Sequence, residues 1–90
     1  MFVSVICEIS NDDHKIAVKN LLLEYGFKQV FEYLFESTTL QSRELARLKR
    51  DIDRRTDSFD SIKIYQYPLD DLLVITTLRD KRWRRVIVKK

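Results

Sequence analysis

Residues 2–9, FVSVICEI, alternate with a period of two: Val3, Val5, Cys7 and Ile9 on one face of a strand, Phe2, Ser4, Ile6 and Glu8 on the other. Both faces are largely apolar, which predicts a central strand covered on both sides. From Ser10 the period lengthens, and Ala17, Val18, Leu21, Leu22 and Tyr25 line one side of a helix. Ser10 and Asp13 have capping-box spacing at its start, and Gly26, the single glycine, predicts a left-handed stop at its end. FKQVFEYLFES (27–37) is aromatic and branched, so it reads as strand. Its alternation slips near Tyr33–Leu34, which predicts a bulge or a break into two short strands. Thr38 with Gln41 repeats the capping-box spacing and opens a second helix, running to about Arg55 and apolar at Leu45, Leu48 and Ile52. A polar turn, TDSFD, leads to a strand at 61–67 with Ile62, Ile64 and Gln66 opposite Lys63, Tyr65 and Tyr67, ended by Pro68. Asp70–Asp71 read as a turn, 72–78 as a strand, and RRVIVKK (84–90) as a last edge strand.

The predicted order is β-α-β-β-α-β plus a C-terminal strand. On 90 residues this gives one α+β domain, a ferredoxin-like sandwich with an antiparallel sheet and two helices on one face. The opposite face, with Phe2, Ile6 and Glu8, is then left without cover from its own chain, and a homodimer closing over it is the simplest remedy. Residues 1–78 make the domain and 79–90 a basic tail or edge strand.

Composition narrows the class. No apolar run approaches the roughly 20 residues of a membrane span, and the first residues lack the basic flank and cleavage site of a signal peptide. A single cysteine excludes an internal disulfide and suits a reducing cytosol, so a cytoplasmic protein is expected, with Cys7 a small core residue. The net charge of +3 is unevenly spread: −3 over residues 1–42, +3 over 43–55, −3 over 56–78 and +6 over 79–90.

Those two basic stretches carry the candidate chemistry. On a helix, Arg43, Arg47, Arg50 and Arg54 fall within about 60° of one another, opposite Leu45, Leu48 and Ile52. One face packs while the other presents guanidiniums that fork onto phosphates. In the tail, Arg82, Trp83, Arg84 and Arg85 combine phosphate neutralisation with an aromatic ring for base stacking; as an edge strand the same residues dock their apolar members and turn their cations out. His14 is alone in the chain and reads as a surface histidine. No zinc-ligand spacing, glycine-rich phosphate loop or nucleophile–histidine set is present. Glu8, a carboxylate closing an apolar strand, faces water, a cation or a metal ion.

Four segments then act together: VICEISNDD, LLLEYGFKQV, LFES and DSIKIYQYP, spanning most of residues 1–68. In order and spacing the chain resembles the small ferredoxin-like CRISPR-associated protein of spacer acquisition, a family also described as a metal-dependent endoribonuclease. In that family the strand-ending acid is usually an aspartate, and its copies from two subunits face each other across the dimer axis to hold a divalent cation. The matching position here is Glu8, with Cys7 in place of a frequent aromatic and Tyr33 in place of a serine. The resemblance implies a homodimeric, cytoplasmic subunit that binds DNA, with RNA a second substrate class, and acts with the CRISPR integrase. Any catalysis would be that of a metal-dependent phosphodiesterase, with Glu8 holding Mg²⁺ or Mn²⁺ and an activated water. Rival readings are a toxin-like ribonuclease resembling virulence-associated protein D, and a ferredoxin-like interaction module whose basic tail binds an acidic protein.

Overall fold

A computed structural model of the chain describes residues 1–69 and 72–89. The elements are β1 (Phe2–Glu8), α1 (Asp12–Glu24), β2 (Lys28–Phe31), β3 (Leu34–Ser37), α2 (Ser42–Arg54), β4 (Ser61–Leu69), β5 (Leu72–Arg79) and β6 (Arg82–Lys89). The strands form one antiparallel sheet of six, in the order β2-β3-β1-β4-β5-β6. Helix α1 carries the chain from β1 to β2, with β3 between them; α2 carries it from β3 to β4, with β1 between them. β1 is therefore central, as its two apolar faces predict, but helices cover only one of those faces.

Local chemistry explains the boundaries. The α1 cap falls one residue later than the Ser10 spacing predicts: Asn11 Oδ1 accepts from the His14 N–H at 2.9 Å. At the other end Gly26 takes φ +86°. There the Phe27 N–H donates to the Leu22 carbonyl and the Gly26 N–H to that of Leu23, both at 3.0 Å, the paired bonds of a Schellman stop. Phe27 and Leu22 are both buried, supplying the apolar contact that accompanies this motif. Helix α2 also begins later than Thr38 predicts. Gln41 is its N-cap, and the Gln41 N–H donates to Glu44 Oε1 at 3.0 Å. Leu40 and Leu45, both in the core, stand at hydrophobic-staple spacing around that cap.

The slip near Tyr33 is a break into two strands, with Phe31 opposite Leu34 and a register shift between Gln29 and Phe31. β4 runs through Pro68 to Leu69 instead of ending before the proline; a second register shift, between Gln66 and Leu69, absorbs the missing N–H. The Asp70–Asp71 turn and Lys90 lie outside the described residues. The last strand is longer than predicted because Asp80 and Lys81 both adopt positive φ, 54° and 60°. This is the two-residue geometry that matches strand twist, and Arg79 sits opposite Arg82 across it.

Val3, Val5, Phe35, Ile62, Ile64 and Leu78 come from the helix-facing side of the sheet. They form one core with Val18, Leu21 and Leu22 of α1 and Leu45, Leu48 and Ile52 of α2. On β4, Ile62, Ile64 and Gln66 point inward, and Lys63 and Tyr67 are exposed. The two extra strands, β5 and β6, extend the sheet past the fourth strand and give α2 a second neighbour.

Candidate nucleic-acid interface

With Leu45, Leu48 and Ile52 buried, helical geometry puts Arg43, Arg47, Arg50 and Arg54 in solvent, and all four are exposed. Arg54 lies 3.6 Å from Asp51; among the described residues Arg43, Arg47 and Arg50 make no ion pair. Asp51 also accepts from the Tyr25 hydroxyl at 2.8 Å, fastening α2 to the end of α1. Burial, reinforced by the Asp51 carboxylate, raises the Tyr25 pKa and keeps this phenol a donor.

The strand alternation of β6 divides its candidates. Trp83 pairs with Leu78 and Arg85 with Thr76, so both lie on the helix side, and Trp83 packs against the core. Arg82 and Arg84 pair with Arg79 and Thr77 on the opposite side, around a shallow depression of about 680 Å³. Between α2 and β6 runs a groove of about 300 Å³ lined by Lys49, Arg50, Asp53, Arg54 and Trp83. Its walls are fixed by Lys81, whose ammonium donates to the Asp53 carbonyl and, at 3.1 Å, to that of Thr56, and pairs with the Asp53 carboxylate at 3.2 Å. A cation on the last carbonyls of a helix is favoured by the helix dipole. Lys49 was not among the sequence candidates. It lies off the arginine stripe, and only the β6 pairing brings Arg85 near it. Burial, with the positive charge of Arg85, lowers the Lys49 pKa. Arg50, Arg54 and Trp83 thus line one groove, with Arg85 on the same face of β6 as Trp83, while Arg82 and Arg84 stand on the other face.

Glu8 is exposed at the end of β1, opposite Ser61. It lines a cleft of about 650 Å³ with Lys15, Lys19, Glu32, Tyr33 and Phe59. Lys15 pairs with Glu32 at 3.6 Å; among the described residues Glu8 has no ion pair and joins no cluster of three ligating side chains. A cation at Glu8 would need further ligands from elsewhere. Cys7, beside it, has its thiol pushed up to about 12 by burial, so it is a neutral packing residue and a poor nucleophile.

His14 is not the isolated surface residue its sequence position predicts. Its Nδ1 donates to Asp60 Oδ2 at 2.9 Å and lies 3.9 Å from Asp57 Oδ2. The ligating atoms of His14, Asp57 and Asp60 all fall within 4.8 Å of one another. Asp60 is only 1% exposed and also accepts from the Asp57 N–H at 2.9 Å, while Asp57 Oδ1 accepts from the Phe59 N–H at 2.9 Å. These bonds close on themselves and staple the start of α1 to the loop before β4.

No helix among the described residues is long and apolar enough to cross a membrane. Compared with models of known protein families and with curated proteins, the chain matches none.

Proposed function

We propose that the protein is a homodimeric nucleic-acid-binding subunit. The observation that carries this reading is the exposed row Arg43, Arg47 and Arg50 on α2, cations with no acidic partner among the described residues. Such a row binds phosphates without reading bases. The order β2-β3-β1-β4, crossed by two helices, supports a ferredoxin-like core that β5 and β6 extend. On the sheet face away from the helices, Tyr67, Val86 and Val88 are 44%, 57% and 44% exposed. A second copy laid over that face would cover them.

Together with the resemblance of its first 68 residues, this supports a role in CRISPR spacer acquisition, holding DNA beside the integrase. Glu8, exposed and without an ion pair among the described residues, is available to meet its symmetry mate there and share Mg²⁺ or Mn²⁺. RNA or DNA cleavage by a water on that ion is the catalytic extension of the same reading.

The test is anisotropy of a labelled duplex across a salt series, with light scattering for the dimer. Affinity should fall steeply with salt, and reversing Arg43 and Arg47 to Glu should weaken all duplexes alike and flatten the slope by about 0.9 per lost phosphate contact. Unchanged binding by that variant would remove the reading. Cleavage that chelators abolish and Glu8→Gln abolishes would establish the catalytic extension; cleavage surviving Glu8→Gln would refute it.

A further inference from the structure

The groove between α2 and β6 differs in kind from the arginine row. The row is convex and solvated. The groove is concave, has an indole as one wall and cations along the other, and its volume of about 300 Å³ suits one ring system. Its single acid, Asp53, is held by Lys81 at 3.2 Å, and Arg54 is drawn toward Asp51 at 3.6 Å. Lys49, Arg50 and Arg85 make no ion pair among the described residues. Arg85 stands two positions along β6 from Trp83 and on the same face, so the two side chains are about 7 Å apart along the strand. That is roughly the spacing from a base to its own phosphate. Lys49 is half-buried, with its pKa lowered by burial and by the charge of Arg85; an anion between the two would offset their mutual repulsion.

We propose that this groove binds an unpaired nucleotide, its base against the Trp83 indole and its phosphate between Lys49, Arg50 and Arg85. The inference rests on the nucleic-acid reading above and adds a discrimination to it. Bases inside a duplex are stacked on one another and cannot present a face to Trp83; those of a single strand, an overhang or a frayed end can. The arginine row then holds duplex and the groove an unpaired end. Neither the Trp83 stack nor the cation pocket distinguishes a 2′-hydroxyl, so unpaired DNA and RNA are equivalent at this site.

Trp83 is the only tryptophan, so its fluorescence reports on the groove alone. The intact protein is titrated with oligothymidylate, oligouridylate, a blunt duplex and inorganic tripolyphosphate, and anisotropy of labelled oligonucleotides is followed in parallel. Both single strands should quench Trp83; the blunt duplex should bind by anisotropy with little quenching, and tripolyphosphate should compete without base-type quenching. Lys49→Ala and Arg85→Ala should each weaken single-strand binding about tenfold, and Lys49→Ala should leave duplex binding within about twofold. Trp83→Phe, which keeps an aromatic wall, should retain most single-strand affinity, whereas Trp83→Leu should lose it. If the duplex binds but single strands neither quench Trp83 nor respond to Lys49→Ala, the groove proposal falls and the subunit reading stands. Equal quenching by duplex and single strand overturns it as well. If neither nucleic acid binds, both fall together.

Discussion

Removing the His14 imidazole tests whether the loop before β4 is held by a buried acceptor. In His14→Ala, Asp60 keeps its bond from the Asp57 N–H at 2.9 Å but loses the one from Nδ1 at 2.9 Å, in a site where it is 1% exposed. Leaving a buried acceptor short of a partner costs about 1–3 kcal/mol, more when it is charged. The remaining bond argues for the middle of that range, and alanine's better helix propensity returns about 0.5 kcal/mol. A net loss of about 1.5 kcal/mol is expected. Unfolding entropy near 2.1 cal/mol/K per residue over 90 residues makes that a fall of about 8 °C in Tm. Calorimetry and urea unfolding of the parent, His14→Ala, Asp60→Asn and the double variant measure it. The Asn11 cap is unaffected, because it accepts from the His14 backbone. The single losses should exceed additivity by about 1 kcal/mol, since both variants delete the same bond. A loss under about 0.5 kcal/mol in His14→Ala, or strict additivity, would refute the staple.

Other outcomes follow from single contacts. Among the described residues Thr76 Oγ1 is buried with no hydrogen-bond partner, so Thr76→Val should stabilise by about 1 kcal/mol; a lower urea midpoint would contradict this. Lys81→Met removes the ammonium from the Asp53 and Thr56 carbonyls at the end of α2 and should cost about 1 kcal/mol, with a Tm unchanged within error counting against the tether. Cys7 keeps its proton in the fold up to about 12, above its ordinary value of 9.0. Its raised pKa favours folding below pH 9 and that contribution drains away between pH 9 and about 12, so Cys7→Ser should flatten the alkaline limb of the stability curve. Alkylation of native Cys7 at pH 8 should be far slower than in urea; equal rates would show an accessible thiol.

The apolar periods made most of the fold legible. Val3–Val5, Leu45–Leu48–Ile52 and Ile62–Ile64 each repeat at one spacing, and burial against a single core is what that spacing encodes. Gly26 was legible because only its backbone adopts φ +86° without strain. Caps were misplaced because several residues in ISNDD and STTLQS can accept from an amide, and tertiary packing of Ile9 and Leu40 chooses among them. The β5–β6 turn escaped because Asp80–Lys81 is a weak signal for two positive-φ residues; its geometry is secured from outside, by Lys81 reaching α2. Candidate residues on α2 were legible from their own helix. Lys49 beside Arg85, and His14 beside Asp60 across 46 residues, were not, because pairing between distant segments leaves no local period.

β1 sits at the centre of the sheet, and its first residue, Phe2, pairs with Tyr67. β4, β5 and β6 are by contrast neighbours in sequence as well as in space. The chain is thus assembled from a local meander and a distant strand that joins it to the β2–β3 hairpin. Loop-closure entropy delays such a strand, so the meander is expected to organise early and β1 to dock late. Val74→Ala should then slow refolding, while Val5→Ala should act mainly by hastening unfolding. Until β1 docks, β3 and β4 each expose an unpaired edge, the state in which two growing chains would most readily pair with each other instead of with themselves.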